Sequence, residues 1–326
     1  MRALVTGASG FIGRHVVAAL ARDGAHVRAF DRVTAPIDSL PADVELITGD
    51  IGDRDALRRA VDGCDAVFHL AAVYSYARRD AALMQAINVD GTRAVLEVAL
   101  SGGRRRVVHT SSCATCGPVP GRVATERDMP ARRELGVPYK RTKLEGERLA
   151  LEAARQGADV VVVNPTVPVG PGDLRPTPTG KMVADVAHGR AGAYLARSAL
   201  NIVAVEDVAR GHALALERGR AGERYLLGGD NMSVRDVFAV IARAAGRRAP
   251  RLAVPWTAAY AAAWRANTAL RPTGREPRLL VLDEVRSGRL PHLFDDAKAR
   301  RELGYTSRPA VDALAEASVE TACIPG

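Results

Sequence analysis

A tyrosine and a lysine stand four residues apart in Tyr139-Lys140-Arg141-Thr142-Lys143, inside a helical pattern spanning Val137–Arg155. Residues at i and i+4 are neighbours on one helical face, so the Lys143 ammonium comes within reach of the Tyr139 phenol. A nearby cation favours phenolate and draws the phenol down from its usual pKa of about 10, towards the working range of an acid/base group. Ser112, in His109-Thr110-Ser111-Ser112, ends an apolar run 27 residues before Tyr139. At the carboxyl edge of a sheet its hydroxyl would hold a carbonyl or alcohol oxygen beside the phenol. These three groups suit proton transfer at an oxygen-bearing carbon.

A second motif, Thr6-Gly7-Ala8-Ser9-Gly10-Phe11-Ile12-Gly13, joins an apolar strand pattern to a helical one. Gly7 permits the tight turn, Gly10 lets the backbone approach a pyrophosphate, and Gly13 allows close helix–strand packing. The phosphates would rest on the positive end of the helix that opens at Phe11 and Ile12. Asp31 follows Gly13 by 18 residues, near the roughly 20 expected for a residue that holds ribose hydroxyls. A carboxylate there accepts from both hydroxyls and repels a 2′-phosphate, which favours NAD. Arg32 beside it could clamp that phosphate and favour NADP; the balance leans to NAD. Asp50 and Ile51 are placed to border the adenine, and Ala71 and Ala72 are small enough for the cofactor ribose to cross the sheet edge.

The elements that must position these groups alternate. Strand patterns at Ala3–Thr6, Val27–Phe30, Val44–Ile47, Ala66–Leu70, Arg106–Thr110 and Asp159–Val163 are interleaved with helical patterns. Those helices are Phe11–Arg22, Asp55–Val61, Met84–Leu100 and Val137–Arg155. Alternation with Val-rich strands implies an α/β fold, a doubly wound parallel sheet of Rossmann type covered on both faces. Beyond Asn164, five prolines and three glycines between Pro165 and Gly180 read as a long loop that no regular element tolerates. A strand near Asn201–Val205, a helix over Val208–Arg218, a strand at Arg224–Leu227 and a helix over Val234–Ala245 capped by Ser233 follow. Residues 1–164, with returning elements at about 199–220, are therefore expected to bind the dinucleotide. Residues 165–198 and 221–326 are expected to form a smaller, mixed substrate-binding domain.

Composition excludes several classes. The 326 residues are 47% hydrophobic and only 4% aromatic, an ordinary globular profile. The net charge is +9, and lysine occurs only at 140, 143, 181 and 298, so 42 of the 46 basic residues are arginine. The arginines are scattered without aromatic interleaving, which reads as coding bias and not as a nucleic-acid surface. Four cysteines make no disulfide scaffold. Cys113-Ala114-Thr115-Cys116 lacks partners for a zinc site, so no metal is expected. The opening residues run straight into a strand pattern without the longer apolar core a secretory signal needs, and no apolar run reaches about 18 residues, so a soluble, cytoplasmic protein is expected. Trp256, Tyr260 and Trp264 make one stripe in an alanine-rich helix: a packed helix, a lid over an apolar substrate, or a membrane-touching surface.

The glycine turn Thr6–Gly13, Asn88-Val89-Asp90-Gly91-Thr92, the Ser112 strand end, Tyr139–Lys143 and Asn164-Pro165 together resemble the extended short-chain dehydrogenase/reductases, the NAD-dependent epimerase/dehydratase family. Glu206-Asp207-Val208-Ala209 and Phe294-Asp295-Asp296-Ala297-Lys298 fit as well, and the resemblance covers nearly the whole chain. The segments Pro165–Pro171 and Arg175–Gly180 look most like hopanoid-associated sugar epimerases, themselves similar to dihydroflavonol 4-reductases. The resemblance implies Tyr139 as general acid/base, Lys143 as its electrostatic partner and nicotinamide-ribose ligand, and Ser112 as the group that positions oxygen. It implies Asn88 near the active site, and Asn164, Pro165 and Thr166 bordering the nicotinamide. Ala204 departs from it, standing where the family often has His. The expected activity is hydride transfer between a nicotinamide cofactor and a carbonyl or secondary alcohol. The alternatives are sugar-nucleotide epimerisation or dehydration and non-catalytic nucleotide sensing. A partly apolar small-molecule substrate and a homodimer are expected.

Overall fold

The computed structural model describes residues 1–32, 41, 43–102, 105–174, 176–270, 277 and 281–323. Seven strands form one wholly parallel sheet: β1 (Arg2–Thr6), β2 (His26–Asp31), β3 (Glu45–Thr48), β4 (Ala66–His69), β5 (Arg106–Thr110), β6 (Val160–Pro165) and β10 (Arg224–Leu227). Their spatial order is β10-β6-β5-β4-β1-β2-β3. Every residue of β4 and β6 is buried, as unbroken apolar runs require when both faces of a sheet are covered.

Strand alternation divides the core. Val161 and Val163 face α1 (Phe11–Arg22) and α7 (Val205–Arg218). Val160 and Val162 face α2 (Arg54–Val61), α4 (Thr92–Ser101) and α5 (Pro138–Arg155). Each fully buried valine of this kind contributes about 1.5–3 kcal/mol of transfer free energy. The chain runs outward from β1 through β2 to β3, then crosses to β4 on the other side of β1. A crevice therefore opens between the carboxyl ends of β1 and β4, the place where such sheets take ligands.

A second core lies over the sheet's carboxyl edge. It is built from β7 (Val167–Val169), α6 (Pro178–Ala187), β9 (Ala199–Ala204), α8 (Val234–Ala244) and α12 (Ala310–Cys323). Short β8 (Ala193–Leu195) pairs with β12 (Leu252–Val254), and β11 (Asp230–Ser233) with β9. Helices α9 (Trp256–Leu270) and α10 (Leu282–Ser287) pack together beside this unit, and α11 (Ala297–Leu303) packs on α7.

Three expectations are corrected. The stretch Pro165–Gly180 is no uniform loop. It holds β7, and Thr177 caps α6 by accepting from Gly180 N–H, with Pro178 in the first turn, where its missing N–H costs nothing. The helix expected over Met84–Leu100 is broken: α3 (Ala81–Gln85) passes into a π-helical turn, Ala86–Gly91, before α4. A Cβ on Gly146 of α5 would lie 2.5 Å from the Asn88 carbonyl oxygen, so the widened turn and the bare glycine accommodate one another. The strand at 224–227, expected in the smaller domain, closes the edge of the large sheet instead.

Candidate active site

The glycine turn lies at the switch point. Gly7 takes φ +69°, its N–H donates to Phe30 O at 3.0 Å, and Gly10 N–H donates to Gly7 O at 3.0 Å. A Cβ on Gly7 would stand 2.6 Å from Ala71 N, and one on Gly13 would strike the Gly7 carbonyl. These glycines let β1, β4 and α1 converge. Gly10 is the N-cap of α1, no side chain caps it, and no acid lies in the first turn. The amides of Phe11, Ile12 and Gly13 thus keep their partial positive charge for an anion. Phe11 stacks edge-on against His15 at 5.8 Å, while Ile12 packs on the core.

Asp31 ends β2. Its carboxylate accepts from Ser9 N–H at 3.0 Å, Ser9 Oγ at 2.5 Å and Arg32 N–H at 2.7 Å. It is held facing the glycine turn. Arg32 is exposed, its guanidinium 3.9 Å from Asp50. Ile51 is buried under Gly91, Ala71 is half-buried against Gly7 and Ala72 is exposed. The donor set and the bare cradle fit a dinucleotide.

Ser112 lies two residues beyond β5 and Tyr139 opens α5. The Ser112 hydroxyl lies beside the Tyr139 phenol, near enough to oppose its upward shift, and accepts from Ala114 N–H at 3.2 Å. Lys143 Nζ donates to the Thr110 carbonyl at 2.8 Å. The Tyr139 ring also meets Tyr74 at 4.4 Å and Tyr76 at 6.4 Å between centroids. Sequence reasoning missed both. They lie in the irregular stretch after β4, where no periodicity marks them.

Residues 3–228 match the model of the "NAD dependent epimerase/dehydratase family". The chain belongs to this family. It is 37% identical to "Putative dihydroflavonol 4-reductase" of Synechocystis sp. over 96% of its length and 92% of that protein's. It is 34% identical to "Sterol demethylase protein B" of Methylococcus capsulatus, over 97% of both chains. A "4-hydroxy-2-methyl-3-oxo-4-farnesyl-3,4-dihydroquinoline-1-oxide ketoreductase" of Stigmatella aurantiaca is also 34% identical, over 97% of this chain and 96% of its own. The crystal structure of gox2253 superposes with a TM-score of 0.85 at 38% identity, covering 98% of this chain and 97% of the other.

As an epimerase/dehydratase-family member the chain is an enzyme, and NAD or NADP is its cofactor. Its tyrosine differs from the expectation in one respect. Burial pushes the Tyr139 phenol up, with the Ser112 hydroxyl opposing, so it is a protonated acid at neutral pH. The Lys143 ammonium, turned to Thr110, is itself drawn down by burial to about 8, against the pull of Glu147.

Asn88 and Asn164 spend their amides on the chain of this family member itself. The Asn88 amide donates to Val73 O at 3.0 Å and Thr142 Oγ1 at 3.1 Å, and accepts from Val73 N–H at 2.7 Å. It clamps the Tyr74–Tyr76 stretch to α5. Asn164 donates to Ser112 O at 3.1 Å, Thr115 Oγ1 at 2.9 Å and Glu147 Oε2 at 2.6 Å. Pro165 and Thr166 are buried at the end of β6, Thr166 N–H donating to Leu227 O at 3.2 Å.

Glu147 was not anticipated, although its spacing of four from Lys143 was readable. Its buried carboxylate accepts from Thr115 Oγ1 at 2.6 Å, Asn164 and Arg224 Nη1 at 2.8 Å. One side chain thus ties α5 to the Ser112 turn, β6 and β10. Cys113 and Cys116 are buried free thiols, and burial pushes Cys113 up to about 12 and Cys116 further, which removes the thiolate that redox chemistry needs. His69 and His109 are buried, their rings 5.3 Å apart. The aromatic stripe divides: Trp256 and Tyr260 stack at 4.9 Å, while Trp264 is exposed. Arg104 and Arg175 lie outside the described residues.

Proposed function

We propose that the protein reduces a ketone carried on a flat, apolar carbon skeleton to the secondary alcohol, with NADH preferred over NADPH. The observation that carries this reading is the aromatic setting of the proton donor. Tyr139 is flanked by Tyr74 and Tyr76, and Tyr74 is 36% exposed. An open aromatic face beside the phenol suits a planar apolar ketone through offset stacking. The similarity to reductases of flavonoid and farnesyl-quinoline ketones points the same way.

The bound dinucleotide supplies hydride to the carbonyl carbon. The chain's own groups do the rest. Gly7, Gly10 and Gly13 with the first amides of α1 hold the pyrophosphate, and Asp31 receives the adenosine ribose hydroxyls. The phenol of Tyr139 gives its proton to the carbonyl oxygen, and the Ser112 hydroxyl beside that phenol steadies the same oxygen. Burial keeps the phenol protonated, the state a reductase's acid requires. Lys143 holds its charge beside the nicotinamide ribose. The Asp31 carboxylate repels a 2′-phosphate at the place where it would lie. Residues 1–164 with 199–220 carry the cofactor, and 165–198 with 221–326, apart from β10, shape the substrate side.

The test is a cofactor balance. A reductase consumes one NADH for each alcohol formed. Turnover of a sugar nucleotide without added cofactor, by protein that retains bound NAD, contradicts the reading and assigns epimerase or dehydratase chemistry instead.

A further inference from the structure

Both tryptophans of the chain lie on α9, and they face different surroundings. Trp256 is packed: it stacks on Tyr260, donates its indole N–H to Val285 O at 2.8 Å and lies under the Arg289 guanidinium at 5.2 Å. Trp264 is 53% exposed, and Leu252, just ahead of the helix, is 62% exposed. Ala258, Ala261, Ala262 and Arg265 share the exposed surface of α9, whose buried residues are Ala259 and Ala263. An apolar helix is left open on one side.

The charge around it is concentrated. Residues 247–270 contain four arginines (247, 248, 251 and 265) and no acid. That segment alone holds +4 of the chain's net +9. Arg247, Arg248, Arg251 and Arg265 are exposed, and none makes an ion pair with an acid among the described residues. Coding bias explains arginine in place of lysine; it does not explain a 24-residue stretch, 247–270, without a single acid.

We propose that α9, with Arg265 and the arginines that precede it at 247, 248 and 251, docks in the plane of an anionic lipid bilayer. At 15 residues the helix is too short to cross one, since about 20 residues are needed. An indole suits the headgroup level, where its ring is shielded and its N–H stays wet. Arginines lay their methylenes along apolar surface and keep the guanidinium among lipid phosphates. Each basic residue near such a surface adds roughly fivefold in affinity. A second copy of the chain is a poorer occupant, because an isologous contact sets each patch against its twin and brings like charges together.

The docked helix leads to the active site. It packs on α10, whose buried Asp283 holds Arg78 Nη2 at 3.0 Å and whose Ser287 Oγ lies 3.5 Å from the Tyr76 hydroxyl. Tyr76 and Tyr74 flank Tyr139. Passage of substrate from the bilayer along this route rests on the proposed function; the docking itself does not.

The experiment is co-sedimentation of the full chain with phosphatidylglycerol-containing and pure phosphatidylcholine vesicles, read together with tryptophan emission, which reports α9 alone. Docking predicts sedimentation with the anionic vesicles, release by high salt and a blue shift that Trp264→Ala removes. The triple variant Arg247→Glu, Arg248→Glu, Arg251→Glu is expected to bind at least about a hundredfold more weakly, with far-UV circular dichroism unchanged. No binding at low salt overturns the proposal. So does binding as tight as the native chain's by the triple variant, or a blue shift that follows protein concentration without lipid, which assigns α9 to a second copy. Turnover of a soluble ketone, measured on the same samples, tests the proposed function separately.

Discussion

Lys143 Nζ donates a 2.8 Å hydrogen bond to the carbonyl oxygen of Thr110, the residue that closes β5 two positions before Ser112. The catalytic helix is thereby fastened to the sheet edge through its own cation. Burial draws that ammonium down to about 8, with Glu147 opposing. A lysine so lowered is charged below about 8 and neutral above it. The kcat/KM for ketone reduction should therefore fall as pH rises through 8, approaching tenfold per pH unit, and Lys143→Met should be weakly active with that limb missing. A plateau extending to pH 10 in the native enzyme contradicts this. The same group makes the fold more stable as pH rises from 8 towards 10.5, because the unfolded chain keeps a proton that the native state has released.

Glu147 and Arg224 form a buried pair at 2.8 Å. Removing one partner leaves an uncompensated charge, at a cost of about 3–5 kcal/mol. Glu147→Gln should lower the denaturant midpoint accordingly and reduce kcat through a loosened Ser112 turn, with the Kd for NADH unchanged. Adding Arg224→Met should restore stability without restoring kcat. An unshifted midpoint in the single variant rules out this role for Glu147.

Asp31 faces the glycine turn, anchored by Ser9. Asp31→Ser removes a negative charge from the place where a 2′-phosphate would lie. The NADPH-to-NADH ratio of kcat/KM should rise at least about tenfold, since like-charge juxtaposition costs several kcal/mol. Arg32→Ala should leave NADH kinetics almost unchanged. A native preference for NADPH, abolished by Arg32→Ala, reverses the assignment.

Four imidazoles are neutral, three of them buried and His292 half-buried. Burial draws His69 and His292 down to about 3, His212 to about 4, and His109 well below the usual value. Between pH 6.5 and about 4 the unfolded chain takes up protons that the native chain refuses. Stability should thus be full above 6.5 and fall below it, by up to about 1.4 kcal/mol per pH unit for each histidine. Urea midpoints at pH 7 and pH 5 measure the loss; equal midpoints refute the burial of these rings.

Much of this arrangement is written locally. The Val-rich strand Arg106–Thr110 and the helix Phe11–Arg22 begin and end where the pattern puts them, because buried parallel strands and a glycine-opened helix depend on near neighbours. The helix α6 was hidden by the prolines around it, yet Thr177-Pro178 is a cap followed by a proline in the first turn, a start signal that outweighs them. The π-helical turn at Asn88 was not legible, since it answers to Gly146, 58 residues further on. The expected lowering of the Tyr139 phenol failed for a related reason. Helical spacing brings Lys143 near, but whether the ammonium turns to the phenol or to a carbonyl depends on β5, and burial on the loop that carries Tyr74.

The central claim is that Tyr139 gives the proton in a cofactor-consuming ketone reduction. The most direct measurement is single-turnover oxidation of bound NADH by an apolar cyclic ketone, comparing the native enzyme with Tyr139→Phe. The variant should bind NADH normally, keep its denaturant midpoint and react about 10²–10⁴-fold more slowly. A rate within a few-fold of native would contradict the account.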